Sequence, residues 1–210
     1  MVRKSLCLVL ASLMLLFAVS AQADTIRPLE SVIDLDELSF VKTAGVPGVW
    51  EDGMLTLTLY EPETFDAKAI AGLKVGDVLM IGGKEVLVTS LDLGAESGAI
   101  NQESGENVYY LYMNEDRDFT IMDSYDMTSY RLVGDATVPV AEGFLFLDGV
   151  DPATGEPLST RTEHSFEEFL AIRDGETASE GIGFNQTNTT VAFNSEGQLE
   201  SVERIYTPWQ

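Results

Sequence analysis

The sequence predicts a mainly β fold, an antiparallel β-sandwich or barrel-like domain with one or two short helices. Three observations predict it. One segment alternates strictly between apolar and polar side chains, two apolar runs flank a glycine turn, and further strand-like segments recur about every ten residues with turn formers between them. Repeated short strands of this kind are typical of all-β architectures.

The alternating segment is residues 54–60. Its leucines fall on one face and its threonines on the other, which is the period-two signature of a strand with one buried face. The Glu51-Asp52-Gly53 turn just before it predicts a hairpin with an apolar segment around 40–41 or 49–50. The leucines expected in the core are Leu55, Leu57 and Leu59.

A second hairpin is predicted from residues 77–81 and 85–91. They flank Gly82-Gly83-Lys84, and the two glycines permit the positive φ that a tight turn requires. Residues 148–157 are rich in Asp, Gly and Pro and predict a loop. Further strands are expected at 108–113, 118–122, 129–133, 144–147, 189–193 and 199–206.

Two helical segments are expected. The clearer one begins at Ser165, because Glu168 three residues later completes a capping-box pattern, and it ends at Gly175. Its apolar residues fall at i, i+3 and i+4 and would pack on a sheet. The other segment, residues 65–73, is short and fits a turn nearly as well as a helix.

The N-terminus predicts a secretory signal peptide at residues 1–23. Two basic residues precede an uncharged apolar run, and an Ala-Gln-Ala sequence places the expected cleavage between Ala23 and Asp24. An uncleaved membrane anchor is the alternative, but the run is short for a span of ~20 residues. Cys7 lies within the signal, so the protein is not expected to be a lipoprotein.

The rest of the chain, residues 24–210, is expected to form a single β-rich domain. The polar stretch 95–106 marks a candidate subdivision, and a long hairpin loop within one domain is the simpler interpretation. Trp209, after the last strand, is expected to pack back on the domain. The expected location is extracytoplasmic, either secreted or periplasmic, and soluble, with no membrane attachment after signal cleavage.

Charge excludes two classes of partner. The formal net charge is -23 and falls to -25 once Arg3 and Lys4 leave with the signal. Neutralisation of phosphates drives nucleic-acid binding, and no basic cluster is present to provide it. Docking on an anionic membrane surface is disfavoured for the same reason.

Residue types exclude several chemistries. His164 is the only histidine, which rules out metal sites that need two imidazoles, and its place just before the helix cap predicts an exposed side chain. There is no nucleophile elbow and no nucleotide-binding motif. A pair of carboxylates remains open, because a glycosidase needs only two acids about 5–9.5 Å apart.

Calcium is the cofactor to consider, since hard cations prefer carboxylate and carbonyl oxygens in acidic loops. Asp116 and Asp118 follow Asn114 at alternate positions, like the start of an EF-hand loop, but the later positions of that pattern are absent. Asp148 and Asp151 form a second candidate pair. Solvated turns are the simpler interpretation of both sequences. No other cofactor is expected.

Aromatic residues provide the ligand-binding candidates. Tyr109, Tyr110 and Tyr112 lie in one predicted strand, close to several aspartates. Aromatic rings beside carboxylates suit a carbohydrate site, although the same rings also serve as ordinary strand and core residues. Because neighbouring strand residues point to opposite faces, Tyr109 or Tyr110 is expected to face outward.

These observations favour a non-catalytic binding or interaction module of the cell envelope or extracellular space, with a protein or glycan partner. The alternative is a small secreted hydrolase, such as a glycosidase, that uses a carboxylate pair. An enzyme is the less favoured interpretation, and no catalytic residue is assigned.

Overall fold

A computed structural model describes residues 24–125, 127–175 and 183–207. The predicted signal peptide, Ala23 of the cleavage site, and Trp209 lie outside these residues. Strands account for 51% of the described residues and helices for 8%, which confirms a mainly β fold with short helices. Neither helix in the described part of the chain has the length and hydrophobicity of a membrane-crossing helix.

Strands follow one another along most of the described chain, with two short helices between them. The strands are β1 Thr25–Ile26, β2 Lys42–Glu51, β3 Met54–Pro62, β4 Thr64–Phe65, β5 Val78–Ile81, β6 Lys84–Leu87, β7 Leu91–Leu93, β8 Ser97–Ile100, β9 Tyr109–Met113, β10 Phe119–Asp123, β11 Tyr130–Val150, β12 Pro157–His164, β13 Thr189–Phe193 and β14 Leu199–Arg204. The helices are α1 Ala67–Ala71 and α2 Phe166–Asp174.

Five strands close into a ring in the order β3, β2, β13, β14, β11. The last strand closes it, because the first half of β11 pairs with β3 and its second half pairs with β14. β12 adds to the second half of β11 from the other side. Pairing within this sheet is antiparallel except between β11 and β14, and β1 and β5 form a second parallel pair outside it.

The interior of the ring holds the first core. The alternation predicted for β3 is confirmed, since its three leucines are fully buried and their neighbours are less so. Helix α2 covers this core with Phe169, which is also fully buried. The buried members of the first core are Leu38, Leu55, Leu57, Leu59, Ala136, Val138, Phe146, Phe169, Val191, Phe193, Leu199 and Val202.

A second core is formed mainly by the chain between β3 and β11. It draws residues from two sheets, one with the order β1-β5-β6 and the other with the order β4-β10-β9-β8-β7, and from α1. The single-domain prediction for residues 24–210 stays a prediction. The buried members of the second core are Phe65, Ile70, Leu73, Leu79, Ile81, Val86, Val88, Ile100, Leu111, Phe119 and Ile121.

Both predicted helices form, and their caps explain where they begin. Ser165 accepts from the backbone N–H of Glu168, and the Glu168 carboxylate accepts from the Ser165 backbone, so the capping box is complete. Asp66 caps α1 by accepting from the N–H groups of Lys68 and Ala69. The turn between β5 and β6 also follows the prediction, since Gly82 and Gly83 both adopt positive φ.

Several predicted strand and loop boundaries differ from those of the structure. Residues 129–133 and 144–147 fall largely in one strand, β11, which bends through register shifts between Leu132 and Gly134 and between Val140 and Leu145. The end of the predicted loop lies in β12, which begins at Pro157. The polar stretch 95–106 contains β8, which pairs with β7 and β9 within one sheet.

Candidate functional site

The tyrosines of β9 divide between the two faces of their sheet. Tyr109 packs against the second core, and Leu111 is fully buried in it. Tyr110 and Tyr112 lie on the opposite face, where Tyr112 is 44% exposed. The expectation that Tyr109 or Tyr110 faces outward is therefore confirmed, and it is Tyr110 that does so.

A shallow groove of about 340 Å³ lies beside these two rings. It crosses three strands, since Tyr112 is opposite Ser97, Tyr110 is opposite Ala99, and Ala99 is opposite Asp92. Small side chains on β8 leave the tyrosine rings uncovered from that side. We call this surface the tyrosine groove. Its lining consists of Asp92, Gly94, Ser97, Gly98, Ala99, Tyr110 and Tyr112.

The phenols of Tyr109 on β9 and Tyr130 on β11 stay protonated at neutral pH. Burial raises the pKa of Tyr109 above its ordinary value, and the carboxylates of Asp123 and Glu63 raise it further. Burial also raises the pKa of Tyr130, against a smaller lowering by its hydrogen bond with Thr128. Neutral phenols can both donate and accept hydrogen bonds.

A second cleft, of about 390 Å³, brings several carboxylates together and is called the carboxylate cleft. Two of the calcium candidates, Asp116 and Asp118, line it next to Asn114. One carboxylate oxygen of Asp118 is already in a hydrogen bond, because its Oδ1 accepts from the Ala67 N–H at 3.3 Å. The four acids of the cleft are Glu30, Glu61, Asp116 and Asp118, and the two bases are Lys42 and Arg131.

The other two calcium candidates lie elsewhere. Asp148 is fully buried and its carboxylate binds the guanidinium of Arg204, while the Asp151 carboxylate accepts from the Ala153 N–H at 2.8 Å. Within residues 24–125, 127–175 and 183–207, no group of three or more His, Cys, Asp and Glu side chains is arranged to hold a metal ion. Calcium binding stays a prediction, to be tested by melting curves with calcium and with a chelator.

A third cleft, of about 600 Å³, lies on the other side of the β3–β11 ladder. In this ladder Tyr60 is opposite Leu132, and Tyr130 lies two residues further along, so all three side chains share one face. Met80 and the Gly82-Gly83 turn of the β5–β6 hairpin form the opposite wall. We call it the aromatic cleft.

The alternate residues of the same ladder point into the carboxylate cleft. Glu61 and Arg131 are directly opposite each other and form an ion pair between the Nη2 and Oε1 atoms. The guanidinium also donates to the Leu29 carbonyl. The end of one two-strand ladder thus lines two clefts of different chemistry.

Glu63 forms part of the aromatic cleft and is only 3% exposed. Its carboxylate accepts from the Gly82 N–H at 2.8 and 3.0 Å and from the Ser129 hydroxyl at 2.6 Å. These bonds tie the β5–β6 turn to the start of β11. No sequence pattern singles out Glu63, because an isolated Pro-Glu-Thr triplet after a strand carries no sign of burial.

His164 is not the exposed residue that its position predicts. Its ring packs on Phe146 at a centroid distance of 5.6 Å, and the Nε2 atom is buried without a hydrogen-bond partner in the described part of the chain. The prediction is wrong because residues 157–164 form a strand, whose last residue pairs with Phe146 and so faces the core.

The chain matches no protein-family model, no curated protein and no solved structure. The tyrosine groove, the carboxylate cleft and the aromatic cleft are therefore interpreted from their own geometry.

Proposed function

We propose that this protein is an exported, non-catalytic binding module that recognises a glycan through the tyrosine groove. The observation that carries the proposal is the pair of neighbouring rings, Tyr110 and Tyr112, on one outward face of β9 beside Asp92 and Ser97. Flat aromatic rings can pack against the apolar face of a sugar ring, and a carboxylate and a hydroxyl can pair with the sugar hydroxyls.

Charge favours a neutral glycan. The mature chain would carry a formal charge of -25, so long-range repulsion disfavours anionic glycans, whereas a neutral sugar is unaffected. An open groove is also suited to a segment of a longer chain of sugars, since such a segment can enter and leave from the sides.

Export is part of the same proposal and has its own test. Residues 1–23 have the sequence of a signal peptide, and glycans of the envelope or extracellular space would be reached only after export. Mass spectrometry of the protein from its native host should find Asp24 as the first residue. Protein in the extracytoplasmic fraction that still begins at residue 1 would contradict the predicted cleavage.

The binding experiment is a titration of neutral oligosaccharides followed by calorimetry. Replacing Tyr112 by alanine should weaken binding about tenfold, which corresponds to ~1.4 kcal/mol, and the Tyr110 and Tyr112 double variant should abolish it. Tyr125→Ala is the matched control, because Tyr125 is 68% exposed and lies outside the groove.

Two outcomes would overturn the glycan proposal. One is unchanged affinity in the Tyr110 and Tyr112 double variant. The other is capture of an envelope protein through this face with no oligosaccharide binding at millimolar concentration, which would make the groove a protein contact.

A hydrolase is the second candidate, and the carboxylate cleft is the observation that favours it. Four acids line this cleft, and Arg131 already pairs with Glu61. Of the other three, Asp116 and Asp118 lie close together between β9 and β10 and are the acids to test. Release of reducing sugar from a panel of glycans, lost in Asp118→Asn and in Asp116→Asn, would support hydrolysis. Glu30→Gln is the control, because it removes a negative charge from the same cleft. Activity retained in this variant would show that the loss in the two aspartate variants is not a general effect of charge.

A further inference from the structure

We propose that the aromatic cleft binds a zwitterion with an apolar body, which is the chemistry shared by apolar amino acids and short apolar peptides. This site is separate from the tyrosine groove and does not depend on glycan binding. Three features of the cleft carry the inference: a buried carboxylate and an exposed guanidinium, neither of them in an ion pair with any described residue, and apolar walls.

The carboxylate is that of Glu63. It is held by the Gly82 N–H and the Ser129 hydroxyl, and within the described residues no Lys, Arg or His forms an ion pair with it. A buried charge is costly unless it is paired, and Oε1, with its single hydrogen bond, has room for another donor. An ammonium group in the cleft would supply both the charge and the donor.

The guanidinium is that of Arg27. Its side chain is exposed at the edge of the cleft and makes no hydrogen bond or ion pair with any described residue. The other arginine of the cleft, Arg131, is already bound to Glu61 and to the Leu29 carbonyl. Arg27 is therefore the group to pair with a carboxylate, in the two-pronged geometry that guanidinium groups favour.

The walls suit an apolar body. Tyr60, Tyr130 and Leu132 lie on one side and Met80 on the other, and Leu132 is 61% exposed in the structure. A ligand in the cleft would cover exposed apolar surface, which is favourable because it removes that surface from water. The volume of about 600 Å³ is within the range of ~300–1,000 Å³ for small-molecule sites and admits a dipeptide as well as a single amino acid.

Net charge disfavours a simple anion, and the two opposite charges of the cleft together favour a zwitterion over a simple amine. An anion approaching a protein of charge -23 or lower meets long-range repulsion, whereas a zwitterion carries no net charge. A simple amine would pair with Glu63 but bring no carboxylate to Arg27, and would add positive charge near it. The zwitterion is the ligand that pairs both groups at once.

The test compares four probes by calorimetry on residues 24–210: phenylalanine, the dipeptide Phe-Phe, phenethylamine and 3-phenylpropionate. At least one zwitterion should bind ten or more times more tightly than the amine and the acid. Preference between phenylalanine and Phe-Phe distinguishes an amino acid from a peptide. Affinity for phenethylamine equal to that for the tighter-binding zwitterion, or no binding of either zwitterion at 10 mM, would overturn the proposal.

Variants of Arg27 and Glu63 test which group of the ligand each residue binds. Arg27→Ala should weaken zwitterion binding at least tenfold and leave phenethylamine binding no weaker, while Lys74→Ala, at another exposed cation, should change neither. Glu63→Gln should weaken both the zwitterion and the amine, with the exposed Glu85→Gln as its control. If Glu63→Gln does not fold, the Arg27 result decides alone, because Arg27 is exposed and makes no hydrogen bond or ion pair with any described residue. Unchanged zwitterion affinity in Arg27→Ala would refute the assignment.

Discussion

Arg204 and Asp148 form an ion pair inside the protein, with both side chains at most 1% exposed. The two residues are directly opposite each other on the parallel strands β14 and β11, and Nη2 and Nε lie 2.6 and 2.9 Å from the two carboxylate oxygens. The ring of Phe184 lies 4.6 Å from the guanidinium carbon. The pair links the two strands at the point where the second half of β11 completes the ring.

Removing one partner of this pair should destabilise the protein strongly. Asp148→Ala leaves the Arg204 charge buried without its carboxylate, and such losses cost about 3–5 kcal/mol. Chemical denaturation followed by circular dichroism measures the change.

The double variant Asp148→Leu with Arg204→Met separates the charge from the packing. Replacing a buried ion pair by apolar residues of similar volume is often neutral or stabilising, so this variant should recover most of the loss. A double variant as unstable as Asp148→Ala would contradict this account.

Close packing between β2 and β13 predicts a specific effect at Gly45. A Cβ added there would lie 2.7 and 2.9 Å from the two γ-methyl groups of Val191, a stiff and fully buried side chain. Gly45→Ala should therefore cost about 1–3 kcal/mol in the free energy of unfolding. Gly143→Ala is the matched control, since an added Cβ there meets nothing within 4 Å.

Val191→Ala provides the complementary test at the same contact. It should be destabilising alone but should offset part of the Gly45→Ala loss, giving a favourable coupling energy in a double-mutant cycle. Strict additivity of the two substitutions would show that the contact is not the cause.

The difference in burial between Leu57 in β3 and Val75 at the surface predicts different effects of truncation on stability. Leu57→Ala removes a fully buried side chain from the first core and should cost about 2–5 kcal/mol. Val75→Ala, at a side chain that is 63% exposed, should change stability by less than about 0.5 kcal/mol. Equal midpoints of urea unfolding for the two variants would contradict the assignment of the core.

Stability should fall at alkaline pH because of Tyr109 and Tyr130. Their folded-state pKa values are raised above the ordinary value of 10.0 by burial, so the unfolded state loses these protons first. The stabilisation is complete below pH ~10 and is lost as the pH rises through the folded values. Tyr109→Phe with Tyr130→Phe should flatten the stability curve in this window, and an unchanged slope would contradict the cause.

At acid pH the capping box of α2 should weaken. Bonds from the backbone N–H and hydroxyl of Ser165 lower the pKa of Glu168 below its ordinary value of 4.5. Its contribution is therefore present above pH ~4.5 and is lost as the pH falls through the folded value. Ser165→Ala should cost about 1 kcal/mol at neutral pH and show a smaller acid-dependent loss than the wild type. A parallel acid transition in both proteins would argue against this origin.

Local chemistry explains which elements could be predicted from sequence. The leucines of β3, the glycine turn at Gly82 and the Ser165 cap each depend on side chains a few residues apart, so their patterns are complete within a short window. The prediction that either Tyr109 or Tyr110 faces outward is local in the same way, because it follows from the alternation of side chains along one strand.

Features that depend on distant residues, or on strands without periodic apolar residues, could not be predicted. The sequence predicts two strands in place of β11 because Gly134, Pro139 and Gly143 resemble strand breakers, whereas in the ring they lie along a bent strand that pairs with different partners in its two halves. β12 is mostly exposed on both faces, so no alternation marks it. The aromatic cleft joins Tyr60 to Met80, which no local pattern connects.

The position of the second core within the chain has a consequence for how the ring assembles. β3 ends at Pro62 and β11 begins opposite it at Tyr130, and Glu63 donates its backbone N–H to the Ser129 carbonyl at 2.8 Å. The β3–β11 ladder must therefore be joined across a long loop, which carries an entropic cost. If the segment between them folds first, its two ends are already adjacent, and closing the ring becomes nearly as local as forming a hairpin.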